Sequence, residues 1–449
     1  MSSAMHPEIL WVCQGIDFGN VFMKLIFHFL PLLLFIILYV GSGIYFTITD
    51  VANAFYQLSP TVAIIPALMM GWILHHGSAQ ERMHRFLDGV RHRDIMTMCV
   101  IFLLAGAFST VTKAIGSADA TVNLALSLIP ARFLLVGVFI TAAFISTAIG
   151  TSMGTIATLA PISLGLANQG AFPIELGMAT VVAGAMFGDN LSIISDTTIA
   201  AVMSQGADLR AKLRINVEVA VIASGVTLLI LFFVHDHEAL IQSGQYSLIL
   251  VVPYIFLIGL AVSGVNVFVA LVLALALSGV IGYFNGGYGL LALSRDIAGG
   301  FASMHEIMLL SMMVGGLSGL ASQGSTVLAS YLVNIISRRE SKKIAQLLIA
   351  KVVSVFDVLL ANNTIAIIFS GDIARDVAKK CHIPPHYSAA WLDIFSCVFQ
   401  GIIPYGAQIL LASTIAGVSP LNIIGRVYYC YVLGVVSIVY ILCHKKLRD

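Results

Sequence analysis

Apolar runs, some long enough to cross a membrane and others shorter, recur from one end of the chain to the other, and few folds can hold them. Val21 to Val40, Val62 to Leu74, Ile95 to Phe108, Ala131 to Ala148 and Val219 to Val234 follow one another in the first half. Ser247 to Ala261, Val265 to Ile281, Ile307 to Leu320, Ala345 to Leu360 and Val427 to Cys443 follow in the second. A hydrocarbon core about 30 Å thick takes about 20 apolar helical residues to cross. Its interior offers no water to the backbone, so only helices or closed barrels span it. The 449 residues are 59% hydrophobic and 10% charged, against about 25% charged in soluble domains. The expected fold is an all-α polytopic membrane protein with about 11–13 membrane segments.

A net charge of +1 gives no attraction for nucleic acid. The six cysteines show no paired spacing, and most sit in apolar runs. Cys381, His382 and His386 are of metal-ligand type but lack a second pair, so they read as a loop. No cofactor is expected beyond coupling ions. Met1 to Leu10 lacks the basic start of a signal peptide, so insertion is expected through the first apolar helix.

Against this background Gly188-Asp189-Asn190-Leu191-Ser192-Ile193-Ile194-Ser195-Asp196-Thr197-Thr198 stands out. It places two carboxylates, an amide and four hydroxyls between apolar stretches. A carboxylate at membrane depth costs several kcal/mol, about 2.5 or more, unless it is paired, hydrated or protonated. Read as one helix, the stretch puts Asp189, Ser192 and Asp196 on a common face, with Ser195 and Thr198 beside it. Carboxylate, amide and hydroxyl oxygens make a hard-cation environment of the kind Na⁺ accepts. Crowded carboxylates out of water resist carrying two negative charges at once, so Na⁺ and H⁺ compete for them. The expected ion ligands are Asp189, Asn190, Ser192, Ser195, Asp196, Thr197 and Thr198. The alternative for Asp189 is a cap on a half-helix. Asp357 reads either as a third acidic ligand or as a partner for Lys351.

The second half of the chain begins again after His235 to Gly244, with a weak repeat at an offset of about 211–216 residues. Gly150-Thr151-Ser152-Met153-Gly154-Thr155 falls opposite Ala361-Asn362-Asn363-Thr364, and Asp196 to Val202 opposite Ala412 to Val418. Basic loops stay cytoplasmic. Arg82, Arg85, Arg91 and Arg93, with Arg210, Lys212 and Arg214, lie outside the segments around the Gly150 break. In the second half Arg338 to Lys343 and Arg375, Lys379 and Lys380 flank the Asn362 break directly. The charge pattern is reversed, as inverted repeats require. The expected division is 1–234 for the first repeat, 235–245 for a connector and 246–449 for the second, with both termini cytoplasmic. The two breaks read as re-entrant hairpins or pairs of short spans, whose freed backbone groups can hold a cation or an anionic group. Thr151, Ser152, Gly154, Thr155, Asn362, Asn363, Thr364, Gln408, Ser413 and Thr414 are the expected substrate contacts.

Gly-Thr-Ser-Met-Gly-Thr at 150–155, Gly188-Asp189-Asn190-Leu191-Ser192 and Ser195-Asp196-Thr197-Thr198 together resemble the signature of the NhaC-type Na⁺/H⁺ antiporter family, within the ion-transporter superfamily. The resemblance implies a bacterial inner-membrane carrier with inverted repeats, a homodimeric assembly and coupling to Na⁺ or H⁺. Related carriers move small amino acids or carboxylates. Asn190 stands where the plainer antiporters carry Lys, and Ile193 where they carry Pro, which keeps an organic solute open. The function expected is Na⁺/H⁺ antiport, the alternative coupled transport of a small amino acid or carboxylate. Gly150 to Gly154 also fits Gly-x-Ser-x-Gly, but that elbow belongs on a strand-to-helix turn, and a channel has no need of carboxylates that trade a proton for a cation. No enzyme is expected.

Overall fold

A computed structural model describes residues 18–49, 51, 57–75, 77–234, 244–321 and 341–443. Most of the expected connector, residues 337–340 of the second-half basic loop and the basic tail lie outside the described residues. The described residues form α-helices and one short 3-10 turn, with no strand. In order they are α1 (Phe18–Ile48), α2 (Pro60–Leu74), α3 (Ala79–Val90), α4 (Arg93–Ala114), α5 (Ser117–Leu128), α6 (Leu134–Ile149), α7 (Ser152–Asn168), α8 (Ile174–Leu191), α9 (Asp196–Gln205) and α10 (Leu209–Phe233). Then follow α11 (Leu248–Val262), α12 (Val267–Gly286), α13 (Leu290–Ala321), α14 (Lys342–Leu360), α15 (Asn363–Lys380), α16 (Pro385–Gln400), α17 (Ala407–Ala416), α18 (Pro420–Ile424) and α19 (Tyr428–Cys443). Five helical stretches, Arg93–Ala114, Ile174–Gln205, Leu209–Phe233, Val267–Gly286 and Leu290–Ala321, are long and apolar enough to cross a membrane. The protein is an all-α polytopic membrane protein.

The elements recur at a spacing of 211 residues. Pro173 precedes α8 and Pro384 precedes α16, each fixing its helix start. α9 and α17 both end on a left-handed glycine, Gly206 and Gly417. The breaks match in backbone angle. Gly150 (φ 75°, ψ 24°) ends α6 and the extended Thr151 (φ −148°) starts α7. Ala361 (φ 51°, ψ 30°) ends α14 and the extended Asn362 (φ −149°) starts α15. A left-handed residue followed by an extended one turns the chain sharply between two helices. At 16 residues α6 is roughly 24 Å long, short of a full crossing.

Packing is reciprocal between the halves. α9 lies on α15 as α17 lies on α7, and α9 meets α16 as α17 meets α8. α4 and α13 cross at the centre through glycines. A Cβ on Gly106 of α4 would lie 2.6 Å from Met304 Cγ, and α3 meets α13 in the same way, where one on Gly89 would stand 3.0 Å from Gly319 Cα. Close backbone approach through small residues is how helices associate where lipid removes the hydrophobic drive. Gly184 and Gly188 seat α8 on α6 in the same way: a Cβ on either would stand 2.6 Å from a carbonyl oxygen, of Phe139 and Ala143 respectively.

Candidate functional site

The stretch from Gly188 to Thr198 is not one helix. α8 stops at Leu191, residues 192–195 are non-helical, and α9 starts at Asp196. The common face expected for Asp189, Ser192 and Asp196 is therefore replaced by a break. The non-helical Ile194 leans on Gly150, where an added Cβ would come within 2.6 Å of its Cγ1. Two breaks thus cross, and their crossing brings α7's first residue, Ser152, to Asp189. The Ser152 hydroxyl donates to Asp189 Oδ2 at 3.1 Å, and the Ser195 hydroxyl donates to Oδ1 at 2.6 Å. Ser195 also shares a 2.8 Å hydrogen bond with the Thr197 hydroxyl. Asp189 is 4% exposed.

The second half completes the site. Gln408 Nε2 donates to the Ser152 hydroxyl at 3.2 Å, and Gln400 Nε2 donates to Gln408 Oε1 at 2.7 Å and to the Ala361 carbonyl at 3.3 Å. Above this chain of polar groups lies a cavity of about 60 Å³. It is lined by Asp94, Thr97, Gly150, Thr151, Ser152, Asp189, Ser195, Asp196, Thr197, Asn363, Thr364 and Gln408, with Met98, Ile101 and Met153. Three of these are carboxylates and none is Lys, Arg or His. Asp196 is exposed at the first turn of α9, and the Asp196 carboxylate and Thr364 hydroxyl both lie beside Asp94. The volume suits a few waters or a partly hydrated small cation.

Thr151, Ser152, Asp189, Ser195, Asp196, Thr197, Asn363, Thr364 and Gln408 therefore meet at one cavity, and the other expected residues do not line it. Asn190 and Thr198 belong to a separate buried cluster. Ser192 accepts from the nearby Ile194 N–H. Gly154 packs near Val267, and Thr155 donates to the Thr151 carbonyl. Asn362 caps α15 by accepting from the Ile365 N–H at 2.9 Å. Ser413 and Thr414 line a different cavity of about 200 Å³, beside Tyr39, Ser59 and Glu306. Asp357 is fully buried but off the cavity, and among the described residues no ion pair joins it to Lys351, which lines an apolar outer groove with Leu33 and Phe399.

Sequence reasoning missed Asp94, Gln400 and the buried cluster. Asp94 follows a run of arginines, which reads as a topology signal. Gln400 lies 211 residues beyond Asp189, the spacing of the helix ends, whereas aligning residues by identity sets Gly188-Asp189-Asn190 opposite Pro404-Tyr405-Gly406 and passes over it. Lys212 reads as part of a basic loop, yet it lies on α10 with no exposed surface. Its ammonium pairs with Asp393 and donates to the Thr198 hydroxyl at 2.8 Å. Asn216 Nδ2 lies 2.8 Å from Asp393 Oδ2 and 2.7 Å from Asn190 Oδ1. Asp393, in a run that reads as apolar, breaks the same rule that singles out Asp189.

Residues 16–235 match the model of the Na⁺/H⁺ antiporter family. The chain is 23% identical to the Na⁺/H⁺ antiporter NhaC of Bacillus subtilis (strain 168), over 78% of this chain and 84% of that protein. The crystal structure of the Alcanivorax borkumensis YdaH transporter superposes with a TM-score of 0.44 at 16% identity, over 84% of this chain and 92% of that one. From these sequence matches and its apolar helices, the chain is a multi-pass secondary transporter related to the NhaC-type Na⁺/H⁺ antiporters.

Proposed function

We propose that the protein exchanges Na⁺ for H⁺, the two ions taking turns at Asp189. The observation that carries this reading is the placing of Asp189. It is a buried carboxylate held, among the described residues, by neutral hydroxyl donors, at a helix break, in an acidic cavity whose described lining holds no basic residue. With no fixed countercharge, the carboxylate must take up either a proton or a metal cation to stay out of water. Na⁺ finds carboxylate, hydroxyl and amide oxygens there. Asp94 and Asp196, at the mouth, raise the local cation concentration.

The same cavity disfavours the solute alternative. A carboxylic acid would present its carboxylate to three aspartates in a cavity that no Lys, Arg or His lines.

The halves 1–234 and 246–449, joined by 235–245, are read as inverted repeats, since the charge reversal along the chain accompanies the 211-residue recurrence. The basic loops and both termini then face the cytoplasm of a bacterial inner membrane. Asp94, which lines the cavity, directly follows Arg91 and Arg93, so the cavity is read as opening to that side.

Purified protein in liposomes tests the proposal. An imposed Na⁺ gradient, with no other solute, is expected to drive protons the opposite way, read by an internal pH dye. Proton or Na⁺ movement that requires an added amino or carboxylic acid would replace exchange with solute coupling.

A further inference from the structure

We propose that Asp357 and Gln400 form a second monovalent-cation site, beneath the Ala361 break in the second half of the chain. The proposal shares with the reading above the premise that this carrier handles cations, but it stands on other residues. Asp357 has no exposed surface, and among the described residues neither of its carboxylate oxygens has a hydrogen-bond partner. The side-chain oxygen of Gln400, also fully buried, is open in the same way, because both of that residue's hydrogen bonds leave from its nitrogen. The break ties the two together. Ala361 donates its N–H to the Asp357 carbonyl at 2.7 Å and accepts from Gln400 Nε2 at 3.3 Å. The Gln400 main chain also lies beside the Asp357 carboxylate.

Buried acceptor oxygens whose nearest donor is one main-chain N–H, that of Gln400 beside the Asp357 carboxylate, are costly together. The helices make the place more electronegative still. Asp357 sits in the last turn of α14, and Gln400 is the last residue of α16. Two helix C-termini, each with the negative end of its dipole, converge on a carboxylate. Among the described residues no Lys, Arg or His forms an ion pair with Asp357; the one lysine near it in sequence, Lys351, faces the outer groove. A hard monovalent cation bound by carboxylate and amide oxygens resolves all of this at once.

The repeat gives an independent argument. At the 211-residue spacing, Gln400 is the counterpart of Asp189 and Asp357 is the counterpart of Ser146. Each half therefore holds one carboxylate and one neutral oxygen side chain at these two positions, with the carboxylate on exchanged helices. Ser146 is already satisfied, donating to the Ala185 carbonyl at 2.6 Å, whereas in the second half both positions, Asp357 and Gln400, keep open oxygens.

Equilibrium binding of radioactive Na⁺ to the full-length protein in detergent tests this. Wild type is expected to bind two ions per chain. Asp189→Asn and Asp357→Ser, the latter installing the residue of the other half, are each expected to bind one, and the double variant none. Gln400→Leu keeps the carboxylate and, combined with Asp189→Asn, is expected to weaken the remaining ion about tenfold, which reads the site even if Asp357→Ser does not fold. One wild-type ion that only Asp189→Asn removes, or a wild-type count in Asp357→Ser, overturns the second site and leaves the first standing. Binding that survives Asp189→Asn but is lost with Asp357→Ser supports this site and overturns the reading of Asp189. A single ion that either substitution removes would merge the two sites and overturn the proposal.

Discussion

Asp189→Asn is expected to reduce Na⁺-driven proton movement in liposomes to the level of empty vesicles. The amide is close to the carboxylate in shape and can keep the Ser152 and Ser195 contacts, so the protein should fold and elute as wild type does. What disappears is the group that can be either charged or protonated, and with it the competition on which exchange depends. Asp196→Asn gives a contrasting result. Its carboxylate is exposed at the cavity mouth rather than buried. Its loss is expected to raise the Na⁺ concentration for half-maximal rate about tenfold, with the maximal rate retained. Internal-pH traces over a series of Na⁺ concentrations separate the two. Wild-type exchange in Asp189→Asn would remove that residue from the mechanism.

The second large effect concerns the fold itself. Lys212→Met alone and Asp393→Leu alone are each expected to destabilise by about 3–5 kcal/mol, because each strands one charge with no water to receive it. Lys212→Met combined with Asp393→Leu is expected to recover most of that loss, since a buried pair replaced by apolar groups is often neutral. The recovery should be incomplete, as Asn216 and Thr198 lose a partner. Thermal unfolding of the four proteins in detergent reads the cycle. Additive losses in the double variant would mean that the pair is not coupled.

These two predictions divide along what the sequence made legible. Asp189 was visible because a carboxylate in an apolar run has few excuses, and Ser152, Thr364 and Gln408 were visible because polar residues cluster at helix breaks. Their meeting at one cavity could not be seen, because it depends on how two breaks cross. The break at 192–195 was missed for a physical reason. Leu191, Ile193 and Ile194 suit a helix, and nothing in their local propensity interrupts it. In the folded chain the interruption packs against Gly150 through Ile194. Lys212 and Asp393 were hidden by the same rule that exposed Asp189. A lysine among arginines reads as a loop, and 181 residues separate it from the aspartate that neutralises it. Only the folded chain pairs them. The repeat was visible but blurred. Its offset, about 211–216 by residue identity, sharpens to 211 once helix ends rather than residues are aligned, since backbone angles at Gly150 and Ala361 agree where side chains differ.

The claim beneath all of this is that Na⁺ and H⁺ occupy one group by turns. Its most direct test is the Na⁺ dependence of exchange across a range of pH with both sides of the membrane matched. If the ions compete, lowering the pH raises the half-maximal Na⁺ concentration by about tenfold per unit wherever the proton holds the group, one proton being displaced for each Na⁺, while the rate at saturating Na⁺ stays constant. A half-maximal Na⁺ concentration that does not move with pH would contradict the account, because the two ions would then be bound in different places.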